Sequence, residues 1–244
     1  MAGSSFRQKL YSSAWDTRCR SVDVARVLKP MLTEGATLLD AGCGEYGLAE
    51  FVSAPTVGVD ILPDGGIAEG YTYVRGSIIS LPFADRSFTV AASVDVLEHL
   101  PEGLRPAAVE QVVAVADRAV VIAFPTGKQA RQADEVFRES LDKRGEMLPD
   151  WLDEHLRQPY PEIDAIVEAI NKAATAGGRI AQISIYPSEH LSIAKLLRWS
   201  AARSKYIYLI ANLTAGMMHS ILPKPTSGNS YRTIIVAEFE DDRP

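Results

Sequence analysis

Leu38-Leu39-Asp40-Ala41-Gly42-Cys43-Gly44-Glu45-Tyr46-Gly47 is an apolar strand that runs into a glycine-rich turn and then into a helical pattern. A strand, turn and helix N-terminus of this kind can hold a nucleotide-like cofactor by its backbone. Gly42 and Gly44 lack Cβ atoms where the chain must bend tightly and approach a ligand, and Asp40 supplies an acceptor at the strand end. The glycines alone are shared by many dinucleotide binders, so their neighbours decide the reading. Val57-Gly58-Val59-Asp60 is a second short apolar strand. Its carboxylate follows the first by about twenty residues, the spacing at which an acid reaches ribose hydroxyls in a doubly wound sheet. The plainer alternative is a loop aspartate capping a helix.

Further on come Gly76-Ser77-Ile78-Ile79-Ser80-Leu81-Pro82-Phe83-Ala84-Asp85-Arg86-Ser87-Phe88, a strand over Thr89–Asp95, and Val96-Leu97-Glu98-His99-Leu100-Pro101. With these, the chain resembles the class I S-adenosylmethionine-dependent methyltransferases, in the branch with an LPF, SFD and DVLEHLP signature. The resemblance implies S-adenosylmethionine as cofactor. It implies that Asp40, Gly42 and Gly44 line the methionine and ribose portion, and that Asp60 accepts from the ribose. Ser77 stands where the family commonly has an aspartate that reads the adenine amino group, and Ile78 would pack on the purine. Ser93 and Asp95 would border the methyl and amino-acid moieties. Tyr46 departs from the glycine usual at its position.

Composition agrees with this reading. A chain of 244 residues can bury one substantial core and suits a single domain over 1–244. A net charge of -6, with no basic stripe carrying aromatics, disfavours a nucleic-acid partner. Cys19 and Cys43 do not make a disulfide framework, which suits a reducing, cytoplasmic setting. The segment Met1–Lys9 lacks the apolar core of a signal peptide.

Alternating helical and extended patterns predict an α/β fold with a parallel sheet covered on both faces. Ser21 or Asp23 can cap a helix through Leu32. Strands are expected at 36–40, 56–60, 71–75, 88–94, 119–124, 179–186 and 231–239, making seven. The resemblance implies a Rossmann-like methyltransferase sheet whose last strand inserts antiparallel between strands five and six. Long helical insertions at about 128–177 and 188–225 are expected to cap the acceptor side. Together with Trp151-Leu152-Asp153-Glu154-His155-Leu156, they also resemble methyltransferases of bacterial polysaccharide and glycolipid assembly. The apolar run Tyr206–Leu222 is marginal for a membrane span and is broken by Asn212, Thr214, His219 and Ser220. It reads as core packing, a homodimer face or a peripheral apolar contact with a lipid tail.

A sulfonium methyl needs an acceptor held in line with water kept out, and a hydroxyl acceptor also needs a base. His99, just beyond strand four, is the first candidate; His190 and His155 could instead complete the site from the cap. Glu98 is expected to point away from His99 if the segment is helical, and His219 to pack within its helix. An oxygen and nitrogen cluster at Asp95, Glu98 and His99 could hold a cation, but ligands from one short segment do not call for a metal. The expected activity is O-methylation of a saccharide, glycolipid or other small-molecule hydroxyl. The alternatives are C-methylation of a quinone-like or lipid acceptor, and a cofactor-binding partner without catalysis.

Overall fold

The computed structural model describes residues 15–44, 47–61, 71–201 and 203–241; Tyr46 and the Met1–Lys9 segment lie outside the described residues. Seven strands form one sheet: β1 (Leu38–Ala41), β2 (Thr56–Asp60), β3 (Tyr71–Arg75), β4 (Phe88–Val94), β5 (Ala116–Pro125), β6 (Arg179–His190) and β7 (Ser230–Asp241). Their order is β3-β2-β1-β4-β5-β7-β6. The first five run parallel, and β7 pairs antiparallel with both β5 and β6, as the resemblance implied. The order reverses at β1, which places a crevice beyond the carboxyl ends of β1 and β4.

β5 shows why the central strands are continuously apolar. Val120, Ile122 and Phe124 pack into one core, and Ala119, Val121 and Ala123 into the other. Burial on both faces leaves no polar side for alternation. The first core is closed by α2 (Arg105–Val115) and α5 (Ile163–Ala176), whose Val109, Val112, Ile166 and Ile170 are buried. The second is closed by α1 (Trp15–Leu28) through Val24 and Leu28.

Four further α-helices lie among the described residues: α3 (Gly127–Asp142), α4 (Asp150–Arg157), α6 (Leu191–Ala201) and α7 (Lys205–Ile221). Since α5 covers the sheet, the expected cap over 128–177 reduces to α3 and α4, joined by α6 and α7 from the second insertion. Its apolar contacts are small and local: Phe137, Leu141 and Leu152 form one cluster, and Ile193, Leu197, Ala211 and Ala215 another.

Three expectations are corrected. α1 begins before Ser21 and ends at Leu28, so Ser21 and Asp23 are interior positions rather than caps. Asp23 instead accepts from Ser188 Oγ at 2.7 Å and meets Arg26 and His219 at 2.8 and 3.0 Å. His219 is therefore tied to α1 rather than packed only against its own helix. The apolar helix α7 is not interior either. Ala211 and Ala215 are buried, whereas Tyr206, Ile210, Leu213, Met217 and Ile221 are all exposed by more than 60%. No helix among the described residues is long and apolar enough to cross a membrane.

Candidate functional site

The glycine turn leaves β1 with Gly42 and Gly44 both in the left-handed region, at φ +82° and +52°. The two glycines serve different ends. A Cβ on Gly42 would lie 2.3 Å from Val96 Cγ2, so this glycine lets the turn pack on the segment after β4. A Cβ on Gly44 would project into open space, which keeps that side of the turn clear for a ligand. Two carboxylates hold the turn. Asp40, almost wholly buried, accepts from the Leu48 N–H at 2.8 Å, and Asp60 at the end of β2 accepts from the Gly44 N–H at 2.9 Å.

A cleft of about 570 Å³ opens on this turn. It is lined by Asp40, Gly42, Gly44, Asp60, Ser77 and Ile78 from the cofactor motifs, and by Asp95 and His99 beyond β4. Its volume suits a nucleoside-sized molecule. The open face of Gly44 and the carboxylate at the end of β2 fit such a group. Ser93 departs from expectation: it is buried, its hydroxyl has no hydrogen-bond partner, and it does not line this cleft.

A second cavity, of about 630 Å³, lies under the cap. It shares Arg20, Asp95 and His99 with the first, so the two meet at those side chains. Trp151, Tyr208 and Tyr231 give it aromatic surface, and Arg144, Arg198 and Glu146 give it charge. Asp95 stands at the junction with φ +53°, a left-handed backbone that costs a non-glycine residue roughly 1–2 kcal/mol. A forked pair holds it there: Arg232 Nε and Nη2 each donate to Asp95 at 2.6 Å. Burial by itself would raise the Asp95 carboxyl, but Arg232 and then Arg20 hold it down at about 2. Arg232 also donates to Glu189 at 2.6 Å. The residue that β6 sends into the cap site is thus Glu189. Its neighbour His190 meets the Pro223 carbonyl at 2.7 Å and lines neither cavity.

The segment after β4 is a 3₁₀ turn, Leu97–His99, rather than an α-helix. The tighter turn changes where Glu98 goes: it is fully buried on the side of His99 and lies 3.7 Å from His155 Nε2. Both its oxygens lack a hydrogen bond. Burial, then the Asp95 charge, pushes its carboxyl well above the usual range. The His99 Nδ1 meets Glu154 at 2.6 Å. Burial, then His155, lowers the His99 imidazole below its ordinary value despite that carboxylate. His155, on α4, brings its Nε2 to 3.3 Å from the Nε2 of His99. Its Nδ1 faces Asp134 at 3.4 Å; Asp134 also accepts from Arg198, Tyr160 and Tyr231.

Sequence reasoning missed Arg20, Glu154, Glu189 and Arg232. Glu154 was visible beside His155 in the inserted turn. The other three had no local signal, because Arg232 is 137 residues from Asp95 and Arg20 is 75.

Residues 39–120 match the methyltransferase domain family. The chain is 30% identical over 132 residues to a chain of Encephalitozoon cuniculi (strain GB-M1) named as a methyltransferase, covering 52% of this chain and 62% of that one. It is 36% identical over 98 residues to an uncharacterized methyltransferase of Mycobacterium avium (strain 104), covering 36% of this chain and 39% of that one. The matches thus span about three-fifths and two-fifths of those relatives. Among solved structures, one titled a SAM-dependent methyltransferase, possible histamine N-methyltransferase, from Thermotoga maritima has a TM-score of 0.56 at 14% identity, covering 92% of each chain. A SAM-dependent methyltransferase from Archaeoglobus fulgidus has a TM-score of 0.52 at 16% identity, covering 89% of this chain and 94% of that one. These two likenesses concern the fold.

Proposed function

We propose that the chain is a class I, S-adenosylmethionine-dependent methyltransferase that O-methylates a hydroxyl of a saccharide or glycolipid in the cytoplasm, a reading that starts from the match of residues 39–120 to the methyltransferase domain family. The observation that carries the reading is the meeting of the two cavities at Arg20, Asp95 and His99. A cofactor in one and an acceptor in the other would come together at those residues. When bound, the cofactor supplies an electrophilic methyl group on a sulfonium. Asp60, Gly44 and Ile78 are the residues to hold its nucleoside, and Asp40 keeps the turn in shape.

The chain's own part is positioning, exclusion of water and proton transfer. Trp151 and Tyr208 offer flat apolar surface beside Arg144 and Glu146, a mixture suited to a hydroxylated acceptor. The helices α3, α4, α6 and α7 cover that acceptor. With the His99 Nδ1 committed to Glu154, its Nε2 carries the lone pair that receives the hydroxyl proton. Tyr208 links the cavity to α7, whose exposed apolar face supports a lipid-linked acceptor with its tail on that helix. Cys19 and Cys43 are both buried and in no disulfide, which supports a reducing compartment.

The test has two arms. Calorimetry with the demethylated cofactor should give one site per chain, weakened at least tenfold in Asp60→Ala and in Gly44→Val. Wild-type affinity in both variants, or preference for a nicotinamide cofactor, would reject the cofactor site. In the second arm, labelled cofactor is incubated with separate pools of saccharides, glycolipids and quinones. Label in the first two pools supports the reading, and label confined to quinones replaces it with C-methylation.

A further inference from the structure

We propose that Glu98, His99 and His155 form a binding site for one divalent first-row transition-metal ion, at the junction of the two cavities. Among the described residues they are the one group of three His, Cys, Asp or Glu side chains whose ligand atoms all lie within 4.8 Å of one another. They come from two segments, the 3₁₀ turn after β4 and helix α4, so the site exists only once the cap is docked.

The hydrogen-bond inventory carries the argument. A carboxylate accepts and does not donate, so the contact with Glu154 fixes the proton of His99 on Nδ1. The contact with Asp134, which also accepts from Arg198 and two tyrosines, does the same for His155. Neutral imidazoles so arranged turn two Nε2 lone pairs toward each other at 3.3 Å, where they repel. Glu98 adds a third lone-pair donor 3.7 Å from His155 Nε2, fully buried and without a hydrogen bond. With Glu98 ionised, a cation between the three would satisfy them all. Metal–ligand bonds of ~2.1 Å put neighbouring ligand atoms about 3.0–3.4 Å apart, which the 3.3 Å between the two imidazole nitrogens meets and from which Glu98, 3.7 Å from His155, differs by a few tenths of an ångström.

The surroundings are those of a metal site. Each histidine has a carboxylate behind its other ring nitrogen, the arrangement that fixes a ligating imidazole. Two nitrogens and one oxygen suit a divalent transition ion, and three protein ligands leave a position open toward the cavity. For the reading of methyl transfer above, on which this consequence alone rests, the ion changes the task of His99 and not its place. With the ion bound, a hydroxyl in the open position would lose its proton more readily: the O–H bond would break with the proton passing to solvent, the oxygen pair would form the bond to the methyl carbon, and the C–S bond would break with its pair returning to sulfur in the demethylated cofactor.

Cobalt(II) added to the metal-stripped full chain is the probe. The expected result is one bound equivalent with visible d–d bands of a nitrogen and oxygen site, displaced by zinc(II). In His155→Asn and Glu98→Gln the affinity should fall at least tenfold and the bands should shift or vanish. Binding of the demethylated cofactor, followed in the same samples, reports whether each variant has folded. Absence of the bands in the folded wild-type protein overturns the proposal and makes the shared cation a proton. Bands that persist unchanged in both variants overturn it too, by putting the metal elsewhere. Neither result touches the test of methyl transfer, which reads label in the acceptor.

Discussion

The cleft on the glycine turn and the cavity beneath the helices share three lining residues, yet they are built by opposite means. The cleft is made of backbone: two glycines in left-handed conformations, with Asp40 and Asp60 accepting from N–H groups 8 and 16 residues away in sequence. The cavity is made of charged side chains brought together over long separations, such as Arg232 with Asp95 and Glu189. A cofactor common to many reactions needs a reusable backbone cradle. An acceptor particular to one protein needs side chains, which can change without disturbing the sheet.

The sharpest way to separate the two regions is at their boundary. Exchanging His99 for Asn should slow single-turnover methyl transfer by about two to four orders of magnitude while cofactor affinity stays nearly intact. Parallel losses of thermal stability and cofactor binding, without a specific loss of turnover, would make His99 a packing residue.

Next in size is the ion-pair frame of the cavity. Arg232→Met leaves Asp95 and Glu189 buried without their guanidinium, and should destabilise the protein by about 3–5 kcal/mol. That would appear as a melting temperature lower by roughly 10 °C. A change within two degrees would mean that the acidic pair repacks without it, and that the frame is less rigid than its geometry implies.

The same frame has a pH signature. The Asp95 carboxyl is held at about 2 against an ordinary 3.8, so its stabilisation is complete above roughly pH 4 and is lost as pH falls through 2. The loss should be on the order of 2 kcal/mol. Chemical denaturation across that range should show a flatter acid limb in Asp95→Asn, and an unchanged slope would contradict the pairing.

The smallest effect falls in the cleft. Gly42→Ala should cost about 1–2 kcal/mol of stability, from its left-handed backbone and from the clash with Val96. Gly44→Val shares the left-handed backbone cost but meets no neighbouring atom, and it should add a loss of ligand affinity that Gly42→Ala lacks. If calorimetry found both effects at both positions, the separation of a packing glycine from a ligand glycine would fail.

Legibility followed the same division. β2, β3 and β4 lie where the apolar runs indicated, since a strand buried on both faces needs an unbroken apolar run and turn residues end it. That Asp40, Gly42, Gly44 and Asp60 meet at one cleft was readable because a backbone turn is local and its glycines and acids recur at fixed offsets. Ser93 was the exception; strand alternation turns it toward the core rather than the cleft.

Outside the cleft, local cues misled. Ser21 and Asp23 resemble helix caps, and Asp23 was claimed instead by Ser188 and His219 across the fold. His190 looked like a cap-site base, but the left-handed Glu189 beside it sends its own carboxylate to Arg232. Helix α7 is apolar enough for a core but packs through its alanines and leaves its large side chains outside.

The sequence by itself determined the sheet, the cofactor turn and the presence of two histidines and a glutamate with reactive potential, because each is encoded within a few neighbouring residues. Only the tertiary structure decided that Glu98, His99 and His155 converge, and that Arg20, Glu189 and Arg232 surround Asp95. The physical reason is distance along the chain: a buried charge takes whatever partner the packing brings to it, and no local pattern records which one that will be.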